Sequence, residues 1–101
     1  MDTKETTFSE EKMKERGEHP VLALRKEEGD TVLRFLVAET DRHPKQYSIY
    51  AEYFDGACHT AGDIPNFSRD RDTAESFCSM LERFGVTPFS LNAIYEDTLT
   101  P

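Results

Sequence analysis

Thr31-Val32-Leu33-Arg34-Phe35-Leu36-Val37-Ala38-Glu39 is the stretch that decides the fold. Successive side chains of a strand point to opposite faces, so Leu33, Phe35 and Val37 share one face while Val32, Arg34, Leu36 and Ala38 share the other. The first set is the better core face, with Arg34 directed outward. Upstream, Val21 to Arg25 and the turn signal Glu28-Gly29-Asp30 complete a β-hairpin with this strand. Downstream, a polar loop from Thr40 to Lys45 contains Pro44, and Gln46 to Phe54 alternates again, placing Tyr47, Ile49, Ala51 and Tyr53 on one side. Asp55-Gly56 reads as a tight turn, and Cys58 to Ile64 returns as a short fourth strand that Gly62 and Pro65 weaken.

The C-terminal third changes period. Ala74, Phe77, Cys78, Leu81 and Phe84 recur at helical intervals behind the capping candidates Ser68 and Asp70, and Gly85 supplies the stop. Thr87-Pro88 then opens a second short helix with Leu91, Ile94, Tyr95 and Leu99 on one side. Neither stripe can be buried alone, so the expected fold is α+β: an antiparallel sheet of three or four strands followed by two C-terminal helices packed on one face. Residues 1 to 19 are dense in Lys and Glu, with only Phe8 and Met13 as apolar candidates after Met1, and read as a flexible charged tail ahead of a single domain over residues 20 to 101. Within that tail, Thr7 with Glu10 fits a capping box, Glu10 with Lys14 fits a helical ion pair, and Gly17 fits a stop.

Several of these residues carry a resemblance. Tyr47-Ser48-Ile49-Tyr50, Gly62-Asp63-Ile64, Ser68-Arg69-Asp70-Arg71 with Ala74-Glu75 and Leu81, Val86-Thr87-Pro88, Leu91 and Glu96-Asp97 follow one another in an order that resembles a family of small uncharacterised Gram-positive bacterial proteins, a domain of unknown function. The resemblance spans roughly residues 31 to 99. It implies no catalytic residues, because the family has none assigned to carry over, and its motifs are structural punctuation more than chemistry.

Composition narrows the function classes. The 101 residues hold 20 acidic and 12 basic side chains, a formal charge of −8. Phosphate binding depends on clustered Lys and Arg, so a nucleic-acid ligand is disfavoured, and the same charge repels an anionic membrane surface. No apolar run approaches the roughly 20 residues of a membrane-spanning helix, and the N-terminus lacks a signal-peptide pattern. The expected location is cytoplasmic, with Cys58 and Cys78 both reduced.

Chemistry is sparse. Cys58-His59, Cys78, His43 and His19 are metal-ligand types, but no Cys-x-x-Cys or His-x-x-x-His pairing is present, so no metal or cofactor is expected. A Cys58/His59 dyad fails because neighbours on a strand point apart. Asp63, Asp70, Asp72, Glu96 and Asp97 form no motif in so acidic a chain, and Asp70 and Asp72 already suit a helix start. The candidate interaction surface is the second sheet face: Val32, Leu36, Tyr50 and Phe54, an apolar patch exposed if helices cover only the other side. These readings favour a non-enzymatic protein-interaction module, with an unknown protein partner or a second copy as a homodimer. The rival is an acidic mimic that inhibits a basic nucleic-acid-binding protein, with a small enzyme third.

Overall fold

The computed structural model describes residues 8–56 and 58–88. Helix α1 (Phe8–Arg16) leads into four strands, β1 (Glu18–Glu28), β2 (Thr31–Thr40), β3 (Tyr47–Asp55) and β4 (Cys58–Ser68), and helix α2 (Arg71–Phe84) follows. The strands form one antiparallel sheet in the order β1-β2-β3-β4. Gly29 takes the positive φ of 60° at the first position of the two-residue turn joining Glu28 to its partner Thr31. The longer β2–β3 connection is held by Thr40, whose backbone N–H donates to the Gln46 carbonyl at 3.0 Å and whose Oγ1 accepts from the Gln46 N–H at 3.0 Å.

The alternation read in β2 and β3 fixes the main core. Leu33, Phe35 and Val37 meet Tyr47, Ile49 and Ala51 across the β2–β3 ladder, and Ile64 joins them from β4. Over this face lies α2, with Ala74, Phe77, Cys78 and Leu81 buried at helical spacing. Phe77 stacks on Phe67 at 4.6 Å between ring centroids. Asp70 caps the helix by accepting from the Thr73 N–H at 3.0 Å and from its hydroxyl. At the other end Gly85 adopts φ 62°, its N–H reaching the Glu82 carbonyl, while the Val86 N–H reaches Leu81. Lys26 of β1 adds a cation at the negative end of the helix dipole, its Nζ donating to the carbonyls of Glu82 at 3.5 Å and Arg83 at 3.3 Å.

Four expectations change. The fourth strand runs to Ser68, longer than its Gly62 and Pro65 suggested, with the irregularity absorbed between Tyr47 and Ile49 and by Asn66 at φ 52°. The expected tail is not a tail from Phe8 onward: α1 packs on the sheet, and the proposed boundary at residue 20 falls inside β1, whose first residue, Glu18, pairs with Thr40. The helix itself agrees with the helical signals read ahead of the stop at Gly17; what counting apolar residues misses is its packing on the sheet, because charged groups hold much of it. The two described helices also lie on opposite faces, α2 over Leu33/Phe35/Val37 and α1 over Leu36, Ala38 and Tyr50. The second C-terminal helix, with Leu91, Ile94, Tyr95 and Leu99, lies outside the described residues. Finally, Phe84 is 68% exposed. It stands one heptad beyond Phe77, a step that drifts about 20° further around the helix, and the chain turns away at Gly85.

Leu81 has no exposed surface and sits in the centre of the main core. Leu81→Ala is expected to destabilise the fold by ~2–5 kcal/mol in denaturant titration; a loss below about 0.5 kcal/mol, typical of surface positions, would contradict this packing.

Candidate interaction face of the sheet

The face opposite α2 is built from alternate residues of every strand. The ladder aligns Ala23, Leu36, Tyr50 and Asp63 in one row, Arg25, Arg34, Glu52 and Ala61 in the next, and Glu27, Val32, Phe54 and His59 in a third. The four sequence candidates therefore do share a face, but they do not share an environment. Leu36 is 3% exposed and Tyr50 fully buried, and both pack with Met13 of α1 and with Ala38. Val32 and Phe54 are half-buried register partners further along. The expectation that all four would be exposed together fails at Leu36 and Tyr50, because α1 covers them.

The seat of α1 is as much ionic as apolar. Tyr50 Oη donates to Glu18 Oε1 at 2.5 Å, and Ser48 Oγ donates to Glu18 Oε2 at 2.8 Å. Arg16, in the last turn of α1, donates from Nη1 to Tyr50 Oη at 3.0 Å and pairs with Asp63 Oδ2 at 2.9 Å. Its guanidinium carbon also lies 5.8 Å from the centre of the Tyr50 ring. At the other end of the helix, the Glu52 carboxylate is fully buried; it accepts from Arg34 Nη1 at 2.9 Å and from the Ser9 N–H at 3.3 Å. A buried carboxylate is tolerated only when paired and hydrogen-bonded in this way. Its position at the first turn of α1 also opposes the positive end of the helix dipole. Ser9 Oγ is buried among these groups without a hydrogen-bond partner among the described residues.

Burial first, and then the hydrogen bond to Glu18, raise the pKa of Tyr50 far above the ordinary phenol value. Tyr50 therefore stays a neutral donor between Glu18 and Arg16.

A second polar cluster lies where β1, β2 and the β2–β3 connection meet. His19 Nε2 is 3.1 Å from Glu39 Oε1 and His19 Nδ1 is 2.5 Å from Asp41 Oδ1. Tyr47 Oη donates to Glu39 Oε2 at 2.7 Å. That hydrogen bond is the main reason the Glu39 carboxyl lies below its usual range, aided by Lys45 and His19. The cluster ties the first residues of β1 to the loop, a positioning role.

The cysteines fall in contrasting places. Cys78 is fully buried under α2 and burial pushes its thiol up to about 12, whereas Cys58 is exposed. His59 does not turn toward Cys58; its ring stacks on Phe54 at 4.4 Å. Among the described residues, no group of three or more His, Cys, Asp or Glu is arranged to hold a metal ion.

Met13, Arg16, Glu18, Ser48, Glu52, Asp63 and His59 were not among the sequence candidates for this face. The available signal was the order Ser48, Tyr50, Glu52, Phe54 on one side of β3: polar residues at alternate positions beside aromatic ones mark a face that needs partners for both. Comparison with protein-family models, curated proteins and solved structures finds no match for the chain.

Tyr50→Phe keeps the ring and removes the hydroxyl that joins Glu18 to Arg16, leaving a buried carboxylate short of a donor. A loss of about 1–3 kcal/mol is expected in denaturant titration. Because the raised folded pKa favours the neutral phenol, the stability Tyr50 contributes is complete below the unfolded value near 10 and is lost as pH rises beyond it. The wild-type chain should lose stability in that alkaline window more steeply than Tyr50→Phe. Thiol titration should find one reactive cysteine, Cys58, in the native protein and two after denaturation; rapid native labelling of Cys78 would place α2 elsewhere.

Proposed function

We propose that this chain is a small, acidic, non-enzymatic protein-interaction module acting in the cytoplasm, and that it associates through the part of the α1-side face that α1 leaves open. The observation that carries this reading is the row Val32, Phe54 and His59. These residues lie side by side on three adjacent strands, Val32 and Phe54 half-buried and His59 exposed, with the Phe54 and His59 rings stacked. An apolar and aromatic row bordered by charge, here Arg25, Glu27 and Arg34, is the usual make-up of a contact surface. Leu36 and Tyr50 belong to its support.

No helix among the described residues is long and apolar enough to cross a membrane. The mimic of a nucleic acid gains no particular support on this face, since Glu52, Asp63 and Glu27 are paired with Arg34, Arg16 and Arg25. A partner protein or a second copy fits the row equally well in chemistry, both offering apolar groups to an apolar strip.

Val32→Ser combined with Phe54→Ser should leave circular dichroism and the unfolding midpoint nearly unchanged, since both positions are half-exposed. The same double variant should abolish self-association in sedimentation or capture of a partner in pull-down. If association survives, this row is not the contact surface; if the variant unfolds, the row is core.

A further inference from the structure

Among the described residues β1 is an edge of the sheet, bonded to β2 along one side only. From Leu22 to Glu28 its ladder with β2 is continuous, the one irregularity lying between Pro20 and Leu22. The opposite edge, β4, is interrupted by Pro65 and by Asn66 at φ 52°. An unbroken edge presents a row of unpaired N–H and C=O groups that another extended segment can complete.

Beside this edge, between β1 and α2, lies a cavity of about 520 Å³. Leu22 and Met80 give it apolar surface, Asp72 and Glu75 give it acidic groups, and Ser79 and Arg83 complete the α2 wall. Leu22, Leu24 and Lys26 share the α2 face of β1, so alternate side chains of a strand added at the edge would be directed to the same side, toward the cavity. Among the described residues Asp72 is paired with no cation, while Glu75 is paired with Arg71 on its own helix. The chain as a whole carries a formal charge of −8. The field favours a cationic visitor, and Asp72 offers it a carboxylate at the end of the cavity lining away in sequence from Arg83.

We propose that the Leu22–Glu28 edge and the adjoining cavity bind an extended, basic segment of a partner protein by strand addition. Main-chain hydrogen bonds to β1 hold the segment. An aliphatic side chain fills the cavity against Leu22 and Met80, and lysine or arginine two residues away on the same side meets Asp72 and Glu75. This assignment rests on the reading of the chain as an interaction module but uses a surface separate from the Val32, Phe54 and His59 row.

The test uses the full chain, labelled with ¹⁵N, and a synthetic peptide in which lysine, valine and lysine occupy alternate positions with threonine between and outside them. Amide shifts should move along Leu22–Glu28 and on α2 from Asp72 to Arg83. The N–H groups of a strand alternate in direction, so N-methylation of one alternating set should weaken binding at least about tenfold while methylation of the other leaves it intact. Ser79→Arg, an exposed change that fills the cavity and adds positive charge, should also weaken binding at least about tenfold with circular dichroism unchanged. The proposal is overturned if both methylated peptides bind like the parent, which would leave only charge attraction, or if the shifts map to β4 or to Val32 and Phe54. It is equally overturned if, in the free chain, the Leu22–Glu28 edge is already occupied by a second copy or by residues 89–101. Association that is lost in the Val32→Ser, Phe54→Ser variant while the peptide fails to bind would sink this inference alone and leave the proposed function standing.

Discussion

Both faces of the two central strands must be kept from water, and the rest of the structure answers that constraint. Phe35 to Ala38 in β2 and Tyr47 to Glu52 in β3 are buried at every position, not at every second one. An antiparallel sheet can leave one face wet, but Leu36, Tyr50 and Ala38 on one side and Phe35, Val37 and Ile49 on the other leave no face free. Two covers are required. α2 is the cover on one side, and α1 is the described segment on the other.

The two covers differ in kind. α2 buries a continuous apolar stripe, and its ends are satisfied locally by Asp70 and Gly85 and from β1 by Lys26, so it is defined by hydrophobic burial with caps at both termini. α1 brings Met13 to the sheet, and Arg16 and the N–H of Ser9 meet Tyr50, Asp63 and Glu52 there. Buried ion pairs repay their desolvation poorly, yet breaking one leaves an uncompensated charge and is costly. The polar seat therefore fixes where α1 lies and in which direction it runs more than it deepens stability. Arg16 can satisfy Tyr50 and Asp63 only when the last turn of the helix is over β3 and β4, while the Ser9 N–H meets Glu52 at the other end.

This difference explains what the sequence disclosed. The β2 and β3 strands, the partition of their side chains, the α2 stripe with Leu81 and Cys78 inside it, and the stop at Gly85 all follow from periodicity and capping, which act within a few residues of chain. Placing α1 depends on pairs such as Arg16 with Asp63 and Ser9 with Glu52, which are far apart in sequence and leave no periodic trace. With Met13 the buried apolar residue among the described side chains of this helix, the segment looks like a solvated tail until the carboxylates awaiting it are located. The same blindness misplaced Leu36 and Tyr50: their shared face was legible, but its cover was not. Val32 and Phe54, further along that face, are only half-buried.

The acidic surplus divides along the same line. Glu18 and Glu52 are buried and matched to donors, so they act at contact distance on Tyr50, Ser48, Arg34 and α1. Glu28, Asp30, Asp55 and Asp72 are exposed, where an individual ion pair contributes little but the summed field reaches outward until salt screens it. One set of carboxylates specifies the fold's second cover, and the other biases what approaches the sheet. Separating the two lets the surface charge change without disturbing α1, because none of these four exposed groups lies in its hydrogen-bonded seat.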